Sequence, residues 1–116
     1  MATAAKLGKI LVDGEGKTVY LFEKDKTAKS STCYTACAVA WPPVTTAEAP
    51  KAGMGAKASL ITTLTRTDGT KQVVYNGHPL YYFQGDTKAG MTTGQDLKGF
   101  GAPWYVLSPS GVKVGD

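Results

Sequence analysis

The sequence predicts an all-β domain, mostly antiparallel with one or two short helical turns, and three observations carry that expectation. Six Tyr, two Trp and fifteen Thr enrich a 116-residue chain in the aromatic and β-branched types that suit a pleated, half-buried surface. Short apolar runs alternate with clusters of Gly, Asp and Asn, the spacing of hairpins rather than of crossover helices. One phrase is also written twice. "TVYLFEKD" at 18–25 and "PLYYFQGD" at 79–86 share Tyr-x-Phe-x-x-Asp, as Tyr20, Phe22 and Asp25, then Tyr81, Phe83 and Asp86.

Each element follows from its local chemistry. "KILV" at 9–12 and "TVYLF" at 18–22 flank the turn formers "DGEGK", which reads as a hairpin. A second hairpin joins "LITTLTR" to "KQVVY" through "TDGT", where Asp68-Gly69 can supply a positive backbone angle. The third carries the strongest turn signal, Asn76-Gly77 within "VVYNGHPLYYF". "STCYTACAVAW" allows one or two helical turns that stop at Trp41, before Pro42 and Pro43. Its counterpart "GQDLKGFGAPW" holds too much glycine for a long helix, and "WYVLSPSG" reads as the last strand. "AEAPKAGMGAKAS" lacks either periodicity and reads as an exposed connector, and the Ala/Thr lead as a short flexible arm. The expected total is about six to eight short strands.

The order of parts is the same in both copies: hairpin, motif, polar loop, then a tryptophan beside proline. Tyrosine and tryptophan lie 21 residues apart in the first copy and 23 in the second. An internal duplication explains this. Residues 1–116 form one domain, with repeat 1 at about 7–46, a connector at about 47–58 and repeat 2 at about 59–109. Two units, each too small to bury its own apolar face, can pack about an approximate two-fold axis into one sandwich or barrel-like body. Alternation along a strand sends Tyr20 with Phe22, and Tyr81 with Phe83, to one face. Leu21 and Tyr82 between them suggest that the other face is covered too. Asp25 and Asp86 fall at strand ends, where a carboxylate accepts hydrogen bonds from turn amides. Trp41 and Trp104 read as equivalent core plugs, the alternative being a binding platform with Tyr34 or Tyr105.

Composition narrows the function classes. Thirteen basic and nine acidic residues give +4, but the lysines are scattered and Arg66 is the one arginine, a poor fit to nucleic-acid binding. No apolar window is long enough to span a membrane, and "MATAAKLGK" lacks the apolar centre of an export signal. Phosphate-cradling loops, catalytic serine signatures and zinc-protease motifs are absent from the sequence.

These blocks together resemble the secreted-repeat lipoprotein family with the Tyr-x-(Phe/Trp/Tyr)-x-x-Asp motif. The resemblance spans about residues 7–109 through "LVDGEGKTVYLFEKD", "CYTACAVAWPPV", "YNGHPLYYFQGD" and "GQDLKGFGAPWYVLSP". It implies an extracytoplasmic home, secreted or anchored to the bacterial cell envelope, and no particular activity. The lipid-acceptor cysteine of the lipoprotein members is missing near the start.

For an exported protein, Cys33 and Cys37 are expected to form a disulfide. Cβ atoms four residues apart on a regular helix are about 5–6 Å apart, against about 3.5–4.5 Å in a disulfide, so the bond demands a distorted turn. Closing so short a loop contributes only about 2 kcal/mol, which leaves a redox or metal role open. Cys33, Cys37, His78, Met54 and Met91 form a soft-donor inventory suited to copper(I) as cofactor. Cys-x-x-x-Cys with one histidine is nonetheless a poor zinc site. A cysteine-dependent enzyme would need Cys33 as nucleophile and His78 as base. The leading expectation is a monomeric, non-enzymatic binding or structural domain without cofactor, whose partner is an envelope or extracellular component.

Overall fold

A computed structural model of the chain describes residues 2–4, 8–13, 17–22, 36–46, 58–66, 69–88, 91–95, 97–99, 102–108, 111 and 114. The strands are β1 (Ala2–Ala4), β2 (Gly8–Ile10), β3 (Tyr20–Phe22), β4 (Thr45–Thr46), β5 (Ile61–Thr65), β6 (Lys71–Tyr75), β7 (His78–Pro79), β8 (Leu97–Gly99) and β9 (Ala102–Val106). Among the described residues there is also one helix, α1 (Ala36–Ala40), and a 3-10 turn at Ala58–Leu60. Every pairing is antiparallel.

The three expected hairpins are present. Val12 bridges Thr18, and the Asp13 side chain accepts the Lys17 N–H at 2.9 Å across the first turn. β5 pairs with β6 through Gly69 at φ +88°. β6 pairs with β7 over Asn76 (φ 50°) and Gly77 (φ 80°), the two positive angles of a tight type I′ turn. α1 ends where expected, the Trp41 N–H reaching the Cys37 carbonyl at 2.7 Å before Pro42 and Pro43.

Two elements differ from expectation. The Ala/Thr lead is a strand, β1, which pairs with β2 as β5 does with β6. Small side chains carry little local strand signal, so its pairing partner, not its own propensity, determines its state. Likewise Leu97–Gly99 becomes β8 because β9 offers a free edge to it. Most of the connector, 47–57, lies outside the described residues.

Sheet order is β3-β9-β8 in one sheet and β4-β6-β5 in another, with β7 on β6 and β1-β2 apart. Among the described residues β5 and β8 each have one partner, so the ladder does not close. A sandwich of antiparallel sheets therefore stands, and the barrel-like alternative does not.

Equivalent residues of the two copies make equivalent hydrogen bonds. Tyr20 and Tyr81 exchange both main-chain bonds, at 2.8 and 3.0 Å, so a local two-fold axis passes between them. Leu11 donates to the Leu107 carbonyl at 2.8 Å, and Val73 to that of Val44 at 2.7 Å. Tyr20 then lies opposite Val106, two residues beyond Trp104, while Tyr81 bridges Pro43, two residues beyond Trp41. Each copy thus lends its last strand to the motif of the other. The duplication closes by exchange, which leaves neither half with a core of its own.

Both faces of the central strands are buried, in separate clusters. Ile10, Tyr20, Phe22, Tyr81, Trp104 and Val106 point one way. Leu11, Val19, Leu21, Leu80, Tyr105 and Leu107 point the other, toward Tyr75 and Val44. The two-residue period of a strand sorts neighbours in sequence into opposite layers.

Candidate functional site

The tryptophans meet at the two-fold axis. Trp41 and Trp104 stack with centroids 3.9 Å apart and planes 3° from parallel. Phe22 covers the outer side of Trp104 at 3.9 Å and 7°, and Phe83 that of Trp41 at 4.3 Å and 31°. The result is a four-ring stack in the order Phe22, Trp104, Trp41, Phe83, in which each phenylalanine rests on the tryptophan of the other copy. Tyr20 presents its edge to Trp41 at 5.4 Å, and Tyr81 to Trp104 at 5.1 Å. Both tryptophans are buried, their faces taken by each other and by the two phenylalanines, and Tyr105 is buried too, so the alternative reading of these rings as an exposed platform is corrected. Tyr34 lies outside the described residues.

The carboxylate of the motif also works across the copies. The Tyr20 hydroxyl donates to Asp86 Oδ2, and Thr93 donates to Oδ1 through its backbone N–H (2.9 Å) and its hydroxyl. The Gly94 N–H donates to the Tyr20 oxygen at 3.1 Å. Burial first, and the adjoining carboxylate second, hold the Tyr20 phenol well above the ordinary tyrosine range. Asp86 thus receives the expected turn amide and a buried phenol as well. A Cβ on Gly94 would come within 2.8 Å of the Trp41 ring and 3.0 Å of Tyr20, which is why the chain has none there. Asp25 lies outside the described residues.

Beside the outer end of the stack is a half-open cleft of about 510 Å³. The first hairpin gives Asp13 and Lys17 to one wall, and the second motif gives Tyr82, Phe83, Gln84 and Asp86 to the other. Tyr82 donates its hydroxyl to Asp13 Oδ2 at 2.8 Å, which ties the walls together and fixes the ring. The Tyr82 and Gln84 backbone N–H groups reach the Pro42 and Ala40 carbonyls at 2.7 and 2.9 Å, anchoring the segment to α1 and its exit.

Of the remaining candidates, Cys37, His78 and Met91 fall among the described residues. Cys37 is buried in the cluster that holds Trp41, and no described cysteine is a free thiol. His78 is half-buried in β7 opposite Tyr75. The Met91 sulfur faces the Thr87 hydroxyl at 3.6 Å, and its carbonyl accepts from Thr18 at 2.7 Å. Cys33 and Met54 lie outside the described residues. Among the described residues no three His, Cys, Asp or Glu side chains gather as a metal site would require.

Sequence reasoning missed Asp13, Lys17 and Gln84 as cleft residues, and a buried polar pair elsewhere. Gln72 accepts from Arg66 Nη1 at 2.8 Å and donates to the Leu80 carbonyl at 2.8 Å, with both side chains buried. The available signal was a glutamine in phase with Val74 on an inward strand face, six residues from the chain's one arginine.

Fold and site together define an internally duplicated antiparallel sandwich whose motif residues Tyr20, Phe22 and Tyr81 are buried in its core. The chain belongs to the family described as "Secreted repeat of unknown function", whose model matches residues 1–45 and 62–108, one stretch for each copy. It is accordingly an extracytoplasmic domain. Neither the curated proteins nor the solved structures yield a match. No helix among the described residues is long and apolar enough to cross a membrane.

Proposed function

We propose that this chain is a non-enzymatic binding domain of the cell exterior that attaches to an envelope component through the cleft beside Phe83. One observation carries the reading. Phe22 and Phe83 each stack on the tryptophan of the opposite copy, and Tyr20 bonds to Asp86 and Tyr81 across the copies, so the repeated motif serves as scaffold, and in the cleft side chains of both copies face solvent together. The described lining offers no cysteine, serine or histidine to serve as the nucleophile and base that covalent catalysis commonly uses. We further propose that Cys33 and Cys37 are joined as a local brace for the chain entering α1, in a monomeric protein. An intact-mass measurement two hydrogens below the reduced mass supports the brace; two alkylatable thiols in the native protein contradict it.

The binding reading is tested by adsorption of the purified protein to isolated envelope fractions. Saturable adsorption that is lost in the Lys17→Ala, Gln84→Ala double variant is the expected result. Adsorption that never saturates, or that the variant leaves unchanged, contradicts it. Both residues are exposed, so their truncation leaves the fold intact.

A further inference from the structure

The two-fold relation between the copies is broken at the cleft. Phe22 is 1% exposed, whereas its mate Phe83 is half-buried at the cleft wall. Leu21 is 1% exposed, whereas its mate is a half-buried tyrosine, Tyr82. The hairpin turn of the first copy runs from Asp13 to Lys17 and supplies the opposite wall, where the second copy has only Asn76-Gly77. Packing two equal modules together requires none of these differences. Among the described residues they expose aromatic surface, and set polar groups facing it, at the Phe83 cleft. Departures from internal consistency of this kind mark functional positions.

We infer that the cleft binds a saccharide, an inference that rests on the binding reading above and names its ligand class. The lining groups argue by elimination. Asp13 and Asp86 against the single ammonium of Lys17 disfavour phosphate-rich or acidic ligands. A wholly apolar ligand would strip water from these charges without replacing it. A metal cation finds both oxygens of Asp86 already engaged by Tyr20 and Thr93, and those of Asp13 by Tyr82 and Lys17. A neutral ring with an apolar C–H face and a rim of hydroxyls fits what is left. Its face lies on Phe83 and Tyr82, and its hydroxyls accept from Lys17 and the Gln84 amide. Tyr82 is pre-set for this by its bond to Asp13, so little ordering is left to pay on binding. The volume lies within the range of about 300–1,000 Å³ typical of small-ligand sites, with room for a short oligosaccharide.

The test is titration of the isotope-labelled full chain, followed by amide NMR, with trimers of β-linked N-acetylglucosamine, β-linked glucose and α-linked glucose, and with neutral tripeptides. The expected result is saturable shifts at Tyr82, Gln84 and Thr87 with at least one saccharide. Affinity should fall at least about tenfold in the Lys17→Ala, Gln84→Ala variant, whose Val106 and Leu107 signals stay unchanged. The inference is overturned by silence toward every saccharide up to about 10 mM, by shifts centred away from the cleft, by binding that the variant does not weaken, or by a response to the peptides alone. Saturable, cleft-dependent adsorption to envelopes without a saccharide response removes the ligand class and keeps the binding reading. Failure of both experiments removes both.

Discussion

At the scale of single residues, the bond from Tyr20 to Asp86 explains why the motif pairs a tyrosine with an aspartate at all. The two side chains are 66 positions apart and belong to different copies, yet the phenol is wholly buried with the carboxylate as its acceptor. Asp86→Ala strands that hydroxyl together with the Thr93 amide, and the expected loss is about 2–3 kcal/mol in urea unfolding. An unchanged midpoint would show that the bond is dispensable. The raised Tyr20 pKa fixes a pH dependence. Below about pH 10 the phenol is neutral in both states and its contribution is intact. Above that, the unfolded chain releases a proton that the folded one keeps, so stability falls as pH rises, by up to about 1.4 kcal/mol per pH unit for this group. Ultraviolet titration should show at least one of the six tyrosines ionising only as the protein unfolds. Complete ionisation of all six with the fold intact would contradict the assignment.

At the scale of elements, hairpins were the most legible feature, because turn chemistry is local. Asn76-Gly77 adopts the two positive angles that its sequence demands. Gly77 has open space around its Cβ position, so Gly77→Ala is a pure backbone test, expected to lower stability by about 1 kcal/mol through strain at φ +80°. A thermal midpoint equal to the parent would mean that the turn rearranges freely. β1 and β8 were illegible for the converse reason: "ATA" and "LKG" become strands only because β2 and β9 lie beside them. Inward-facing Gln72 was hidden similarly, since its partners Arg66 and the Leu80 carbonyl are brought to it by the β5–β6 hairpin and by β7.

At the scale of the whole molecule, the duplication could be read from the repeated phrase, and so could the shared aromatic interior. Which copy's tryptophan each phenylalanine covers could not be read, because a repeat constrains kinds of contact and not their partners. The structure answers by exchange: Phe22 on Trp104, Phe83 on Trp41, and Tyr20 opposite Val106 while Tyr81 bridges Pro43. The cleft was illegible too, since it arises where that symmetry fails and the sequence displays mainly where it holds. The central claim is therefore that the copies stabilise one another through rings traded across the axis. The double-mutant cycle between Phe22 and Trp104, each changed to Leu and measured by urea unfolding, tests it most directly. The account predicts a coupling of about 0.5–1.5 kcal/mol; losses that add without coupling would contradict it.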